Sequence, residues 1–193
     1  MAETLTPKKT RTTSNSGEGD TSKPQPKIFL IGMMGSGKTH WASKLKNKLK
    51  VPCYELDELI EMIEERTIAE IFQEDGEDYF RKEEAKLLRW FKEKKSYILS
   101  TGGGTPCFSD NMTWMNKVGV TIWIDEPVEV LAERLEKEKA HRPLIKDLGN
   151  DQLKDFLAKK LEERREYYSQ ATYKVSGERI TESSFIKLLK EHA

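Results

Sequence analysis

The segment 32-GMMGSGKT-39 follows the apolar run Ile28-Phe29-Leu30-Ile31 and precedes Trp41-Ala42-Ser43-Lys44-Leu45. An apolar run closed by glycines and followed by residues at helical spacing reads as strand, tight loop and helix. The glycines let the main chain curl so that successive N–H groups face one point. The helix behind them turns its positive N-terminal end toward the same point. The spacing G-x-x-x-x-G-K-T suits the phosphates of a nucleoside triphosphate. Gly32, Met33, Met34, Gly35, Ser36, Gly37, Lys38 and Thr39 are therefore the expected nucleotide-binding loop, the P-loop. Lys38 is expected to reach the β- and γ-phosphates as a point charge, and the Thr39 hydroxyl to ligate Mg²⁺.

Outward from the loop, strand-like runs alternate with helical patterns. The runs are Lys27–Ile31, Cys53–Leu56, Ser96–Ser100, Gly119–Ile124 and Thr172–Val175. Trp41, Leu45 and Leu49 recur at helical spacing, and Thr67-Ile68-Ala69-Glu70 is a capping box. Pro127 is expected at the first position of a helix carrying Val130, Leu131 and Leu135. Leu153, Leu157 and Leu161 mark a further helix; Phe185, Leu188 and Leu189 mark the last. Such alternation predicts an α/β protein, a parallel sheet with helices on both faces. Lys139–Asn150 lacks a period and contains His141-Arg142-Pro143 and Gly149-Asn150, which predicts a long mobile loop.

The chain has 193 residues, the size of one domain. Residues 1–26 are expected to be a disordered tail, because the stretch to Gln25 has Leu5 as its only large aliphatic residue besides Met1. The folded domain is expected to span 27–193. Lys and Arg number 33, as do Asp and Glu. A zero balance speaks against nucleic acid or a membrane surface as partner, since both attract a basic excess. No apolar run approaches the roughly 20 residues that cross a bilayer. Two cysteines, Cys53 and Cys107, suit a reducing compartment, so a cytoplasmic protein is expected. A monomer is the expected state.

A triphosphate loop in a chain this short suggests a small-molecule kinase, and four further pieces can build the acceptor site. Glu55 and Asp57 alternate at the end of the second run, at a strand's carboxyl end where open α/β sheets bind ligands. One can steer Mg²⁺ and the other can accept a hydrogen bond from an acceptor hydroxyl; Asp57 alone would also serve as a helix N-cap. Arg81 follows Gly76-Glu77-Asp78-Tyr79-Phe80; among Lys82, Glu83 and Glu84 it also fits a solvated helix face. Gly102-Gly103-Gly104, directly after a strand, let a flat ligand lie against the main chain. Arg142 in the mobile loop can swing over transferring phosphate, and Arg164 completes the set, although alone it would be an ordinary helix-surface cation beside Glu163 and Glu166.

In this order the pieces resemble the shikimate kinase family. The resemblance runs along nearly the whole chain from Lys27. It is carried by Gly32–Thr39, Glu55 with Asp57, Phe80-Arg81, Gly102–Gly104, Arg142-Pro143-Leu144, and Arg164 with Tyr168 four residues on. It implies a three-layer P-loop fold of the nucleoside-monophosphate-kinase-like group, with a five-stranded parallel sheet and a mobile lid. It implies transfer of the γ-phosphate of ATP to the 3-hydroxyl of shikimate, a step of aromatic amino-acid and chorismate biosynthesis, with Mg²⁺. Arg81 and Arg164 match the pair gripping the shikimate carboxylate. Asp57 matches the residue that orients the attacking hydroxyl, and Gly103 and Gly104 match backbone contacts to the substrate. Arg142 matches the lid arginine, which acts with Lys38 on the phosphate, and Arg134 an arginine against adenine.

Two positions depart from the pattern. Glu55 stands where the family usually has Asp, and His40 where it commonly has a small hydroxyl residue. Two other readings share the P-loop. One is another small-metabolite kinase, such as a gluconate kinase; it has no reason to keep two arginines for a carboxylate beside a Gly-Gly-Gly platform. The other is a non-catalytic ligand-binding protein, which only Glu55 favours.

Overall fold

In the computed structural model of the protein, residues 26–139, 145–176 and 180–192 are described. The tail to Gln25, and Arg142 with the rest of residues 140–144, lie outside them.

Five strands form one sheet: β1 (Lys27–Ile31), β2 (Cys53–Glu55), β3 (Tyr97–Ser100), β4 (Val120–Asp125) and β5 (Tyr173–Ser176). Their spatial order is β2-β3-β1-β4-β5, and every pairing is parallel. The two-residue period of a strand divides the apolar side chains between two cores. Ile28, Leu30, Ile98, Ile122 and Ile124 face one side, with Ala42, Leu45 and Phe185. Phe29, Ile31, Tyr97, Leu99 and Trp123 face the other, with Leu56, Phe80, Leu135, Leu157 and Tyr168.

The first core is covered by α1 (Lys38–Leu49) and α8 (Glu182–His192). The second is covered by α2 (Leu56–Glu64), α3 (Ile68–Glu74), α4 (Gly76–Trp90), α5 (Asn111–Val118), α6 (Val128–Glu138) and α7 (Asn150–Tyr168). This is the three-layer α/β fold expected. Among the described residues no helix is long and apolar enough to cross a membrane.

Local chemistry sets several boundaries. The Thr67 side chain accepts from the Glu70 amide while Glu70 Oε2 accepts from the Thr67 amide, which starts α3 by a capping box. Gly37, with φ 88°, stands just before α1, in a left-handed turn that glycine adopts without strain. Pro127 is the residue before α6 rather than its first, its ψ of 147° being extended. Strand β2 stops at Glu55 and α2 begins at Leu56, so Asp57 lies in the first helical turn and not on the strand. Part of the expected loop is packed: Ile145 is fully buried in the larger core, and Asn150 already belongs to α7.

All five strands point the same way, so the segments after them meet along one edge of the sheet. The P-loop follows β1, Asp57 follows β2, Gly102–Gly104 follow β3 and Glu126 follows β4. Crossing from β1 to either β3 or β4 changes the winding direction, and open α/β sheets bind ligands at that point.

Candidate active site

Around the P-loop the main chain is crowded. Gly32 has φ +141°, and a Cβ there would lie 2.5 Å from the Ile124 carbonyl oxygen, so only glycine fits. Lys38 Nζ donates to the carbonyls of Gly32 and Met33, at 2.9 Å each, and so spans its own loop. Arg134, from α6, donates to the Gly35 carbonyl at 3.1 Å and pairs with Glu126, also at 3.1 Å. The expected adenine-side arginine is thus drawn to the loop by a buried carboxylate that sequence reasoning missed.

Beside the loop, Thr39 Oγ1 donates to Glu55 Oε2 at 3.0 Å. The other oxygen, Glu55 Oε1, is buried with no hydrogen-bond partner among the described residues. Burial pushes the Glu55 carboxyl up, opposed by the nearby Ser100 and Thr39 hydroxyls and the Lys38 cation. His40 is exposed, with its ring edge on Trp41.

The glycines after β3 are hemmed in by functional side chains. A Cβ at Gly102 would lie 2.7 Å from Asp57 Oδ1 and 3.2 Å from Glu84 Oε1. At Gly104 it would lie 2.6 Å from Arg81 Nη2. At Gly103 it would lie 3.0 Å from Arg164 Nη1 and 3.5 Å from both the Gly32 oxygen and the Met34 nitrogen. The glycine loop therefore touches Asp57 and Glu84, both candidate carboxylate-binding arginines and the P-loop at once.

Arg81 is not a solvated helix charge. Its guanidinium lies 4.3 Å from the Phe108 ring centroid and 5.0 Å from that of Phe80. It pairs with Glu77 and Glu84, each at 2.9 Å. Glu84 is fully buried and also accepts from the Thr105 hydroxyl. Burial raises its carboxyl above the ordinary range; Arg81 and Thr105 oppose this, and the Asp57 charge adds to it. Sequence reasoning missed Glu84, and the available signal was its three-residue spacing from Arg81 on one helix. Arg164 reaches the Met33 sulfur at 3.7 Å from α7.

The structure thus brings together Asp57, Arg81, Gly103, Gly104 and Arg164 on one side, and Gly32–Thr39, Glu55 and Arg134 on the other. Of the expected site residues, Arg142 alone lies outside the described ones. Both cysteines are free; burial pushes Cys107, beside this loop, up to about 11, which keeps it a thiol.

A parallel sheet with a phosphate loop at its switch point and a polar acceptor cleft beside it defines a small P-loop phosphotransferase. Residues 34–192 match the family model for shikimate kinase. The chain belongs to the shikimate kinase family and is an ATP-dependent kinase. It is 40% identical over 161 residues to the shikimate kinase of Bacteroides fragilis, covering 83% of this chain and 90% of the relative. The crystal structure of shikimate kinase from Bacteroides thetaiotaomicron superposes with a TM-score of 0.78 at 37% identity, over 86% of this chain and 96% of that one. Shikimate kinase from Acinetobacter baumannii in complex with shikimate superposes with a TM-score of 0.73 at 29% identity, over 87% and 91%.

Proposed function

We propose that this protein transfers the γ-phosphate of ATP to the 3-hydroxyl of shikimate, as a cytoplasmic monomer. The observation that carries the reading is the glycine loop: Arg81, Arg164 and Asp57 all converge on it beside the P-loop. Two guanidinium groups suit one carboxylate, since their planar forks match its oxygens. A carboxylate next to them suits a neighbouring ring hydroxyl. A gluconate kinase shares the phosphate loop but gives no reason for this arrangement.

In the proposed reaction the bound acceptor lies on Gly103 and Gly104 with its carboxylate on Arg81 and Arg164. Asp57 accepts the hydrogen bond of the 3-hydroxyl and then its proton. The hydroxyl oxygen forms a bond to the γ-phosphorus while the bond to the β,γ-bridging oxygen breaks and ADP leaves. Lys38 balances charge on the phosphates, and Arg134 bears on the base. Arg142 is assigned to the same phosphate from its sequence motif.

The donor set fits Mg²⁺. Thr39 and Glu55 offer only oxygen, and Glu55 Oε1 has no hydrogen-bond partner among the described residues. Among the described residues no group of three or more His, Cys, Asp or Glu could hold a metal, which suits an ion carried mainly by nucleotide and water. Bound there, Mg²⁺ would neutralise charge on the phosphate oxygens. A coupled ADP-release assay tests the proposal. Release should depend on shikimate and not on gluconate; shikimate-independent or gluconate-dependent release would refute it.

A further inference from the structure

We propose that Tyr168 is a positioning residue that holds the glycine loop, the P-loop and Arg164 in register for the acceptor. The inference rests on the assignment of Gly104 and Arg164 to shikimate.

Tyr168 is fully buried at the end of α7. Its hydroxyl donates to the Gly103 carbonyl at 2.5 Å and lies 3.7 Å from the Met33 sulfur. Arg164, one turn earlier on the same face of α7, reaches that sulfur at the same distance. Met33 belongs to the P-loop and is itself buried. One phenol and one thioether thus join three segments distant in sequence. Trp123 packs against the Tyr168 ring at 5.7 Å between centroids and fixes its direction. Burial holds the phenol well above the ordinary tyrosine range, so it remains a donor at neutral pH.

The consequence follows from peptide geometry. The Gly103 carbonyl and the Gly104 N–H share one planar unit and point in opposite directions. A hydroxyl that pins the carbonyl toward α7 therefore aims the Gly104 N–H away from α7. Three consecutive glycines resist rotation poorly by themselves. Space at Gly103 is also limited on the Arg164 side. Tyr168 thus acts through Gly103, and contacts the acceptor only by that route.

The test is Tyr168→Phe in the full chain, which keeps the ring and removes the donor. Shikimate affinity by calorimetry, KM for both substrates, and thermal stability are measured; if the variant is unstable, the constants are taken at low temperature. The expected result is a rise of about three- to tenfold in shikimate Kd and KM, the scale of one hydrogen bond, with ATP KM within about twofold. A lower Tm with unchanged shikimate constants would make the hydroxyl merely structural and overturn the inference, as would an equal rise in both KM values. Arg164→Lys is run in parallel. If it leaves shikimate binding unchanged, the acceptor assignment itself fails and takes the inference with it. If Arg164→Lys weakens binding and Tyr168→Phe does not, the inference alone fails.

Discussion

Arg81 Nη1 donates to Glu84 Oε2 at 2.9 Å, and the carboxylate that receives it has no solvent exposure. The pair makes a rigid guanidinium out of a side chain that would otherwise sample many rotamers. Removing one partner of a buried pair leaves the other charge uncompensated. The preorganisation of the acceptor site therefore begins one layer beneath it.

Glu84 should also mark the pH dependence of stability. Its carboxyl is raised in the folded protein, chiefly by burial. The folded state then holds the proton more tightly than the unfolded chain, whose glutamates titrate near about 4.3. Stability from this group is largest below that value and declines as pH rises through the folded pKa. Glu84→Gln should flatten the curve of urea midpoint against pH above about 4.3. A curve that parallels the parent's would contradict the argument.

Arg81→Ala and Arg164→Ala should each weaken shikimate binding while sparing ATP. The lost charge-assisted hydrogen bonds amount to roughly 1.5–3 kcal/mol apiece. Calorimetry with each ligand separates the effects. Normal shikimate affinity in both variants would move the carboxylate elsewhere.

Gly104→Ala tests the crowding directly. Its backbone, at φ −90°, accepts alanine, yet the new methyl would meet Arg81 Nη2 at 2.6 Å. Arg81 is held by Glu77 and Glu84 and cannot yield freely. Shikimate KM should rise by about tenfold or more, taking about 1.4 kcal/mol per factor of ten, with ATP KM little changed. Unaltered shikimate kinetics would show that Arg81 is free to move.

Asp57→Asn should preserve fold and ATP binding and cut turnover strongly. A positioned base contributes about 10²–10⁴ in rate. A decrease in kcat below about tenfold would remove Asp57 from that role.

For Glu55, the charge should matter and the chain length should not. Glu55→Asp is expected to remain active, since Mg²⁺ keeps several waters that a shorter carboxylate can still meet. Glu55→Gln should raise the Mg²⁺ concentration for half-maximal activity and weaken Mg²⁺–ATP binding in calorimetry, with shikimate affinity unchanged. Parent-like Mg²⁺ curves for the Gln variant would place Glu55 outside the metal site.

The secondary structure was largely legible because its signals are local. The glycine spacing of residues 32–37 defines a loop wherever it occurs, and Lys27–Ile31 is the strand read from its apolar run. The Thr67–Glu70 capping box is complete within four residues. Misreadings fall where a local rule had a competitor. Alternation put Asp57 on a strand, but the chain turns helical at Leu56, whose side chain is fully buried in the larger core. Charge-rich surroundings suggested a solvated Arg81, although Glu84 beside it faces inward.

What the sequence determined by itself was the chemistry available: a triphosphate loop, a pair of acids, a glycine run and arginines in a recognisable order. Those features depend on residue type and short spacing, which the chain carries without folding. Only the tertiary structure decided which of them meet. The order β2-β3-β1-β4-β5 sets the end of β3 between those of β1 and β2. That adjacency brings Gly102–Gly104 against the P-loop, Asp57 and Arg81, while α7 delivers Arg164 and Tyr168 from far along the chain. Sheet pairing and helix packing are long-range contacts, stabilised by burial over the whole core. No short stretch of sequence encodes them alone.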